Sequence, residues 1–245
     1  MASLLRRVRN RLARLRYGLP PGSRAVAPVV ANDLFEAHLG FYLFAGRFAE
    51  GRTVCDLGCG TGYGAAELLR AGARSVAALD PDPKSVAFAR RRYSDPRITF
   101  SCRSFDSAGG PNGSFELIVA GNVLAQLLDL DRAVSWAASH LTPEGRLIAS
   151  VPPVIDETTL ERHRASSFQP NNLYLWEWED LLRSRFGRLE LFGQLPPPGV
   201  GPDFAAPGPA GVSAASYRFE PVSLARLEGV GSIAAVFVAS EPRAR

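Results

Sequence analysis

The run Val54 to Gly64, VCDLGCGTGYG, restricts this chain more than any other stretch. A short apolar segment, Thr53 to Leu57, leads into Gly58, Gly60 and Gly62, and helix-compatible residues from Gly64 to Leu69 follow at once. The pattern predicts a strand, a tight turn and a helix N-terminus. Glycine at alternate positions permits positive φ and puts no side chain between backbone and ligand, while the unpaired N–H groups opening the helix face the same point. A second strand-like run, VAALD, ends at Asp80, 22 positions beyond Gly58. In a parallel sheet this carboxylate reaches the C-terminal edge beside the turn, where it can accept hydrogen bonds from the cis hydroxyls of a ribose. An adenosine-like nucleoside is the expected ligand.

The spacing also speaks to the ligand's other end. Dinucleotide folds use G-x-G-x-x-G, whereas here the run is D-x-G-x-G-x-G, with Asp56 placed to repel a pyrophosphate and attract an amino group. The run resembles the first motif of class I S-adenosylmethionine-dependent methyltransferases, and Asp80 resembles their ribose-binding acid. That resemblance implies an α/β, Rossmann-like sheet of seven strands, mostly parallel, with an antiparallel last strand and helices on both faces. It implies S-adenosylmethionine as cofactor and no metal. Cofactor contacts are expected from Asp56, Gly58, Gly60, Gly62, Asp80, Pro81, Ser104, Phe105 and Asn122. Ser104 stands where the family commonly carries an acid for the adenine amino group, and Phe105 would lie against the ring or pack in the core. Asn122, Ala125 and Gln126 stand where an acid and an acid–histidine pair are common.

With 245 residues, 46% of them hydrophobic, the chain can bury a full core, and no second glycine-rich loop suggests another nucleotide-binding domain. One α/β domain over residues 28–245 is expected, preceded by a basic amphipathic segment and linker over residues 1–27. The formal charge of +4 is uneven: six arginines and no acid lie in residues 1–16, leaving the remainder at −2. Leu4, Leu5, Val8, Leu12 and Leu15 recur at helical spacing against those arginines. Residues 4–16 therefore suit an anionic membrane surface or an acidic partner, the competing reading being a solvated tail. No nucleic-acid partner is expected, because the body offers no matching basic patch or stacking motif. No apolar run is long enough to span a bilayer and no uninterrupted signal core opens the chain, so a cytoplasmic place, with peripheral contact at the inner membrane surface, is the expectation. Cys55, Cys59 and Cys102 show neither disulfide nor zinc spacing.

Three residues are candidates for a catalytic base: His38, Tyr174 and His163. Residues 29–50 read as a helix preceding the sheet, and Asn32, His38 and Tyr42 within it resemble the lead-in of a bacterial subgroup associated with cell-surface glycan pathways. His38 could be a general base, a contact in a lid over the cofactor, or a packing residue. Residues 154–170, which include His163, look irregular and are expected to form a flap over the acceptor. Tyr174 stands where many relatives carry histidine, and Trp176 with Trp178 suggests an aromatic floor suited to a sugar ring, or else helix packing. The function these features imply is methylation of a sugar hydroxyl in a glycan, glycolipid or glycosylated metabolite. Methylation of a small molecule on oxygen or nitrogen, and a non-catalytic cofactor-binding scaffold, are the alternatives; a nicotinamide oxidoreductase would need different glycine spacing.

Overall fold

A computed structural model describes residues 33–104, 114–166, 170–200, 212–227 and 231–243. The basic segment of residues 1–27, Asn32 and Phe105 lie outside the described residues. Helix α1 (Asp33–Gly46) precedes β1 (Thr53–Leu57), α2 (Tyr63–Arg70), β2 (Ser75–Asp80), α3 (Pro83–Arg92), β3 (Ile98–Cys102) and β4 (Phe115–Gly121). There follow a 3-10 turn (Leu124–Gln126), α4 (Leu130–Ser139), β5 (Leu141–Val151), α5 (Glu157–Ser166), α6 (Leu175–Arg183) and β6 (Phe186–Leu195). A second 3-10 turn (Ala214–Ser216), β7 (Arg218–Pro221), the short α7 (Leu224–Leu227) and β8 (Ala234–Pro242) complete the order.

Local chemistry sets the boundaries. Asp82 caps α3 by accepting hydrogen bonds from the Lys84 and Ser85 amides, with Pro83 in the first turn, where its missing N–H costs nothing. Asp129 caps α4 through the Arg132 amide, and Glu177 reaches back to the Tyr174 N–H to start α6. β5 begins earlier than the turn residues Pro143 to Gly145 suggest: Phe115 faces Leu141 but Leu117 faces Arg146, so residues 142–145 bulge from a strand already begun.

The eight strands lie in the order β3-β2-β1-β4-β5-β8-β6-β7. Strands β1 to β5 pair in parallel, while β8 runs antiparallel to both β5 and β6, and β7 antiparallel to β6. The sheet thus has one more strand than expected. RFEP at Arg218–Pro221 is short, charged and proline-ended, the composition that protects an exposed edge and conceals a strand from periodicity.

Alternation divides the core between two faces. Cys55 and Leu57 of β1, Ile118 and Ala120 of β4 and Phe237 of β8 pack with α4 and α6. Val54, Leu117, Val119, Ile148 and Val236 pack on the opposite face with α1, α2 and α3. Helix α1 is fixed there by the Gln194 side chain, which donates to the Ala37 carbonyl (2.7 Å), by Glu36 accepting from the Ala214 amide (2.8 Å), and by Phe44 stacked on Phe219 (4.6 Å between centroids). Burial of those rings against the sheet adds to the attachment.

Two expectations are corrected. Residues 157–166 are helical, not an irregular flap, because Asp156 caps the segment at the Thr159 amide (2.7 Å) and Thr159 returns the contact. Trp176 and Trp178 do not share a floor. Two positions apart on α6, they point to different sides: Trp178 is fully buried in the core, whereas Trp176 is 46% exposed and stacks on Tyr174 (4.1 Å, 9°).

Candidate active site

Because β1 lies between β2 and β4, the strand order reverses at the C-terminal end of β1, the position where open α/β sheets leave a crevice. A cleft of about 540 Å³ opens there, within the roughly 300–1,000 Å³ usual for small-molecule sites. Its floor is the turn after β1, its β2 side carries Asp80, Pro81 and Asp82, and its β4 side carries Asn122 and Val123, with His38, Tyr42 and Tyr63 closing it from α1 and α2.

Gly60 sits at φ 52°, and a Cβ there would meet nothing within 4 Å. A side chain would stand in the cleft, so glycine supplies both the backbone conformation and the space a ligand would fill. The Gly60 amide donates to Asp80 Oδ2 (2.8 Å) and the Asp82 amide to Asp80 Oδ1 (2.9 Å). Each carboxylate oxygen retains a lone pair for a vicinal diol. Burial raises the Asp80 carboxyl above its ordinary range, opposed by these two amides and reinforced by the Asp82 charge. Gly58, Pro81 and Ser104 also line the cleft, whereas Gly62 lies outside its wall and backs onto Ala89 and Phe100.

Asp56 is placed differently from expectation. It alternates with Cys55 and Leu57 and so points to the face covered by α1, outside the cleft wall and wholly buried. Its Oδ1 accepts from the Tyr42 hydroxyl (2.9 Å), and its Oδ2 has no partner. Burial pushes the carboxyl up to about 7, against the Tyr42 hydrogen bond and with a further push from Asp80. The Tyr42 ring occupies the space a Gly64 side chain would need, since a Cβ there would come within 2.1 Å of it. Tyr42 thereby joins α1 to β1 and α2 beneath the cofactor turn.

At the β4 end, five side chains from distant parts of the chain meet. Asn122, held at φ 54°, directs its amide NH2 at His38 Nε2 (3.2 Å), and His38 Nδ1 lies 3.2 Å from the Tyr63 hydroxyl. Ser150 Oγ accepts from the Asn122 backbone amide (2.9 Å) and donates to its Oδ1 (3.3 Å), while Gln126 donates to the Asn122 carbonyl (2.6 Å). Burial lowers the His38 imidazole to about 4, so it is neutral at pH 7 and, with Asn122 donating to Nε2, carries its proton on Nδ1.

His38 is thus the one catalytic candidate brought to the cleft. Tyr174 lies outside its wall and is half-buried, donating to Glu157 (2.6 Å), and His163 lies on α5, also outside the wall. Tyr42, Tyr63, Ser150 and Gln126 are the residues sequence reasoning did not assign. Tyr42 had a signal in its spacing from His38; Ser150 had none without the register of β4 against β5. Among the described residues no cluster of ligating side chains could hold a metal ion, and no helix is long and apolar enough to cross a membrane.

Known proteins similar to this chain include methyltransferases. A methyltransferase-domain family model matches residues 54–145. The chain is 33% identical over 132 residues to a probable S-adenosylmethionine-dependent methyltransferase of Mycobacterium tuberculosis, covering 54% of this chain and 47% of that one. It is 32% identical over 109 residues to the ubiquinone biosynthesis O-methyltransferase of Methylocella silvestris, covering 44% and 42% respectively. The chain thus spans less than half the length of these curated relatives. Its fold is similar to that of the N-methyltransferase NodS of Bradyrhizobium japonicum, solved with S-adenosyl-L-homocysteine, with a TM-score of 0.60, 15% identity, and 93% and 98% of the two chains covered. The open space at Gly60 and the lone pairs left on Asp80 suit the ribose of an adenosyl ligand, and residues 54–145 match the methyltransferase domain and are similar to S-adenosylmethionine-dependent methyltransferases.

Proposed function

We propose that the protein transfers the methyl group of S-adenosylmethionine to a hydroxyl, with sugar hydroxyls of a glycan, glycolipid or glycosylated metabolite as the acceptor class. The observation that carries this reading is the division of the cleft into two ends. At the β2 end Asp80, braced by the Gly60 and Asp82 amides, offers a carboxylate to a ribose. At the β4 end His38, Asn122 and Gln126 offer only uncharged hydrogen-bonding groups. The bound cofactor supplies an electrophilic methyl group and its own driving force. The protein's part is to hold it and to orient the acceptor. Gly60 allows close approach of the ligand to the backbone, and the Asn122–His38 pair faces the end where an acceptor would lie. His38 is a weak base, and its role is to accept or donate a hydrogen bond to an uncharged acceptor rather than to pair with a charge.

The M. silvestris relative is named as an O-methyltransferase, which agrees with oxygen as the nucleophile. Methylation of a nitrogen in a small molecule remains the second reading, favoured by the fold neighbour described as an N-methyltransferase. Titration calorimetry with S-adenosylmethionine and S-adenosylhomocysteine, followed by transfer of labelled methyl to glycan extracts and to a panel of small amines, tests both. Micromolar binding with label in glycan supports the proposal. Label in amines alone replaces it with the second reading, and binding of neither cofactor form leaves a scaffold.

A further inference from the structure

A smaller chamber adjoins the β4 end of the cleft. His38, Gly121 and Asn122 line both spaces, so the two meet at the His38–Asn122 pair. The chamber lies under α1, with Leu34 and Ala37 on one side and the polar side chains of His38, Asn122, Ser150 and Gln194 around it. It measures about 30 Å³. A single water needs roughly 10–15 Å³ on the same measure, so the space takes a group the size of a hydroxymethyl and excludes a ring.

Its chemistry is as restrictive as its size. No aspartate, glutamate, lysine or arginine lines it, and burial keeps His38 uncharged. A carboxylate or ammonium entering this space would lose hydration without gaining a counter-charge. A hydroxyl would instead meet groups of both senses: the Asn122 amide, the Ser150 hydroxyl and the His38 ring already exchange hydrogen bonds at 2.9–3.3 Å and could re-form them with an inserted O–H. Asn122 is held in the left-handed region, where asparagine is among the few residues tolerated, so its side chain is fixed by the backbone as well as by its partners.

We propose that this chamber is the acceptor subsite and that it admits an uncharged primary hydroxyl on a slender arm, such as the hydroxymethyl of a sugar, while a secondary ring hydroxyl is excluded. The inference rests on the methyl-transfer reading above. It is tested on the complex with S-adenosylhomocysteine by following the side-chain nitrogen signals of His38 and Asn122 by NMR during titration with 1-propanol, cyclohexanol, propionate and propylammonium. The expected result is a saturable shift with 1-propanol, at least tenfold stronger than with the other three. Leu34→Trp, at a position 39% exposed, and Ala37→Leu should each abolish that response while leaving S-adenosylhomocysteine affinity within twofold, since neither residue lines the cofactor cleft. Retained affinity also shows that the variants fold. Equal response to a charged probe or to cyclohexanol, a 1-propanol response that persists in both variants, or none in a protein that binds S-adenosylhomocysteine overturns the chamber assignment alone. Failure of the unmodified protein to bind S-adenosylhomocysteine overturns the methyl-transfer reading and the subsite with it.

Discussion

The two ends of the cleft are built by different means. At the β2 end Asp80 is braced by main-chain amides, all within residues 58–82, so its seat is one βαβ segment. At the β4 end the contacts are side chains from α1, α2, β5 and the turn after β4; His38 and Asn122 are 84 residues apart and Asn122 and Ser150 are 28 apart. A backbone-built site is fixed once the local fold forms. A side-chain-built site depends on helix docking and strand register, and can change its acceptor without disturbing its cofactor.

Substitutions should separate the two ends. The largest effect is expected from Asp80→Ala, which removes the acceptor of two amide hydrogen bonds and of the ribose. At about 1.5–3 kcal/mol for each hydrogen bond to a charged group, S-adenosylhomocysteine affinity should fall at least about 100-fold by calorimetry. Undiminished affinity would remove Asp80 from the site. Next comes Tyr42→Phe, which leaves the buried Asp56 carboxyl with no hydrogen bond. A loss of about 1–3 kcal/mol is expected at pH 8, and less at pH 5, where Asp56 is protonated and needs no donor.

The pH dependence of stability distinguishes the buried groups. Asp56 titrates near 7 in the fold against 3.8 when unfolded, so its contribution is fully present below about 4 and is lost as pH rises through 7. His38 works in the other direction: lowered from 6.5 to about 4, its contribution is present above about 6.5 and is lost as pH falls through 4. The two slopes oppose each other between pH 4 and 6.5. Asp56→Asn should therefore steepen the rise of melting temperature over that interval and flatten the fall from 6.5 to 8, with the difference between the two calorimetric curves isolating Asp56. An unchanged curve would mean that Asp56 is charged throughout. The smallest effect belongs to Trp176→Ala. Its exposed ring stacks on Tyr174 outside the cleft wall, so stability should change by less than about 0.5 kcal/mol and cofactor affinity not at all.

What could be read from the chain follows the same division. Strand β1 begins and ends at the residues its apolar run indicates, and Asp80 stands beside the glycine turn because one crossover leaves little freedom of placement. The burial of Asp56 is legible in strand alternation, which turns it away from the side chains of Cys55 and Leu57 and under α1. The two tryptophans carried a similar warning, since neighbours two apart on a helix cannot line one surface. The Asn122–His38–Tyr63 contacts had no local trace. They exist because β4 sits next to β5 and because α1 is held by Gln194 of β6, relations that only the assembled sheet creates.

The placement of β8 between β5 and β6 has a consequence for the order of events during synthesis. Among the described residues the hairpin of β6 and β7 joins the sheet through β8, and α1 is held in part by that hairpin, through Gln194 and Phe219. Parallel pairing from β3 to β5 can proceed as each segment leaves the ribosome, but the helix carrying His38 and Tyr42 acquires its full seat only when residues 234–242 have emerged. The nascent chain would thus hold its adenosine-side pocket well before it holds a lid, and binding competence would arrive late and abruptly.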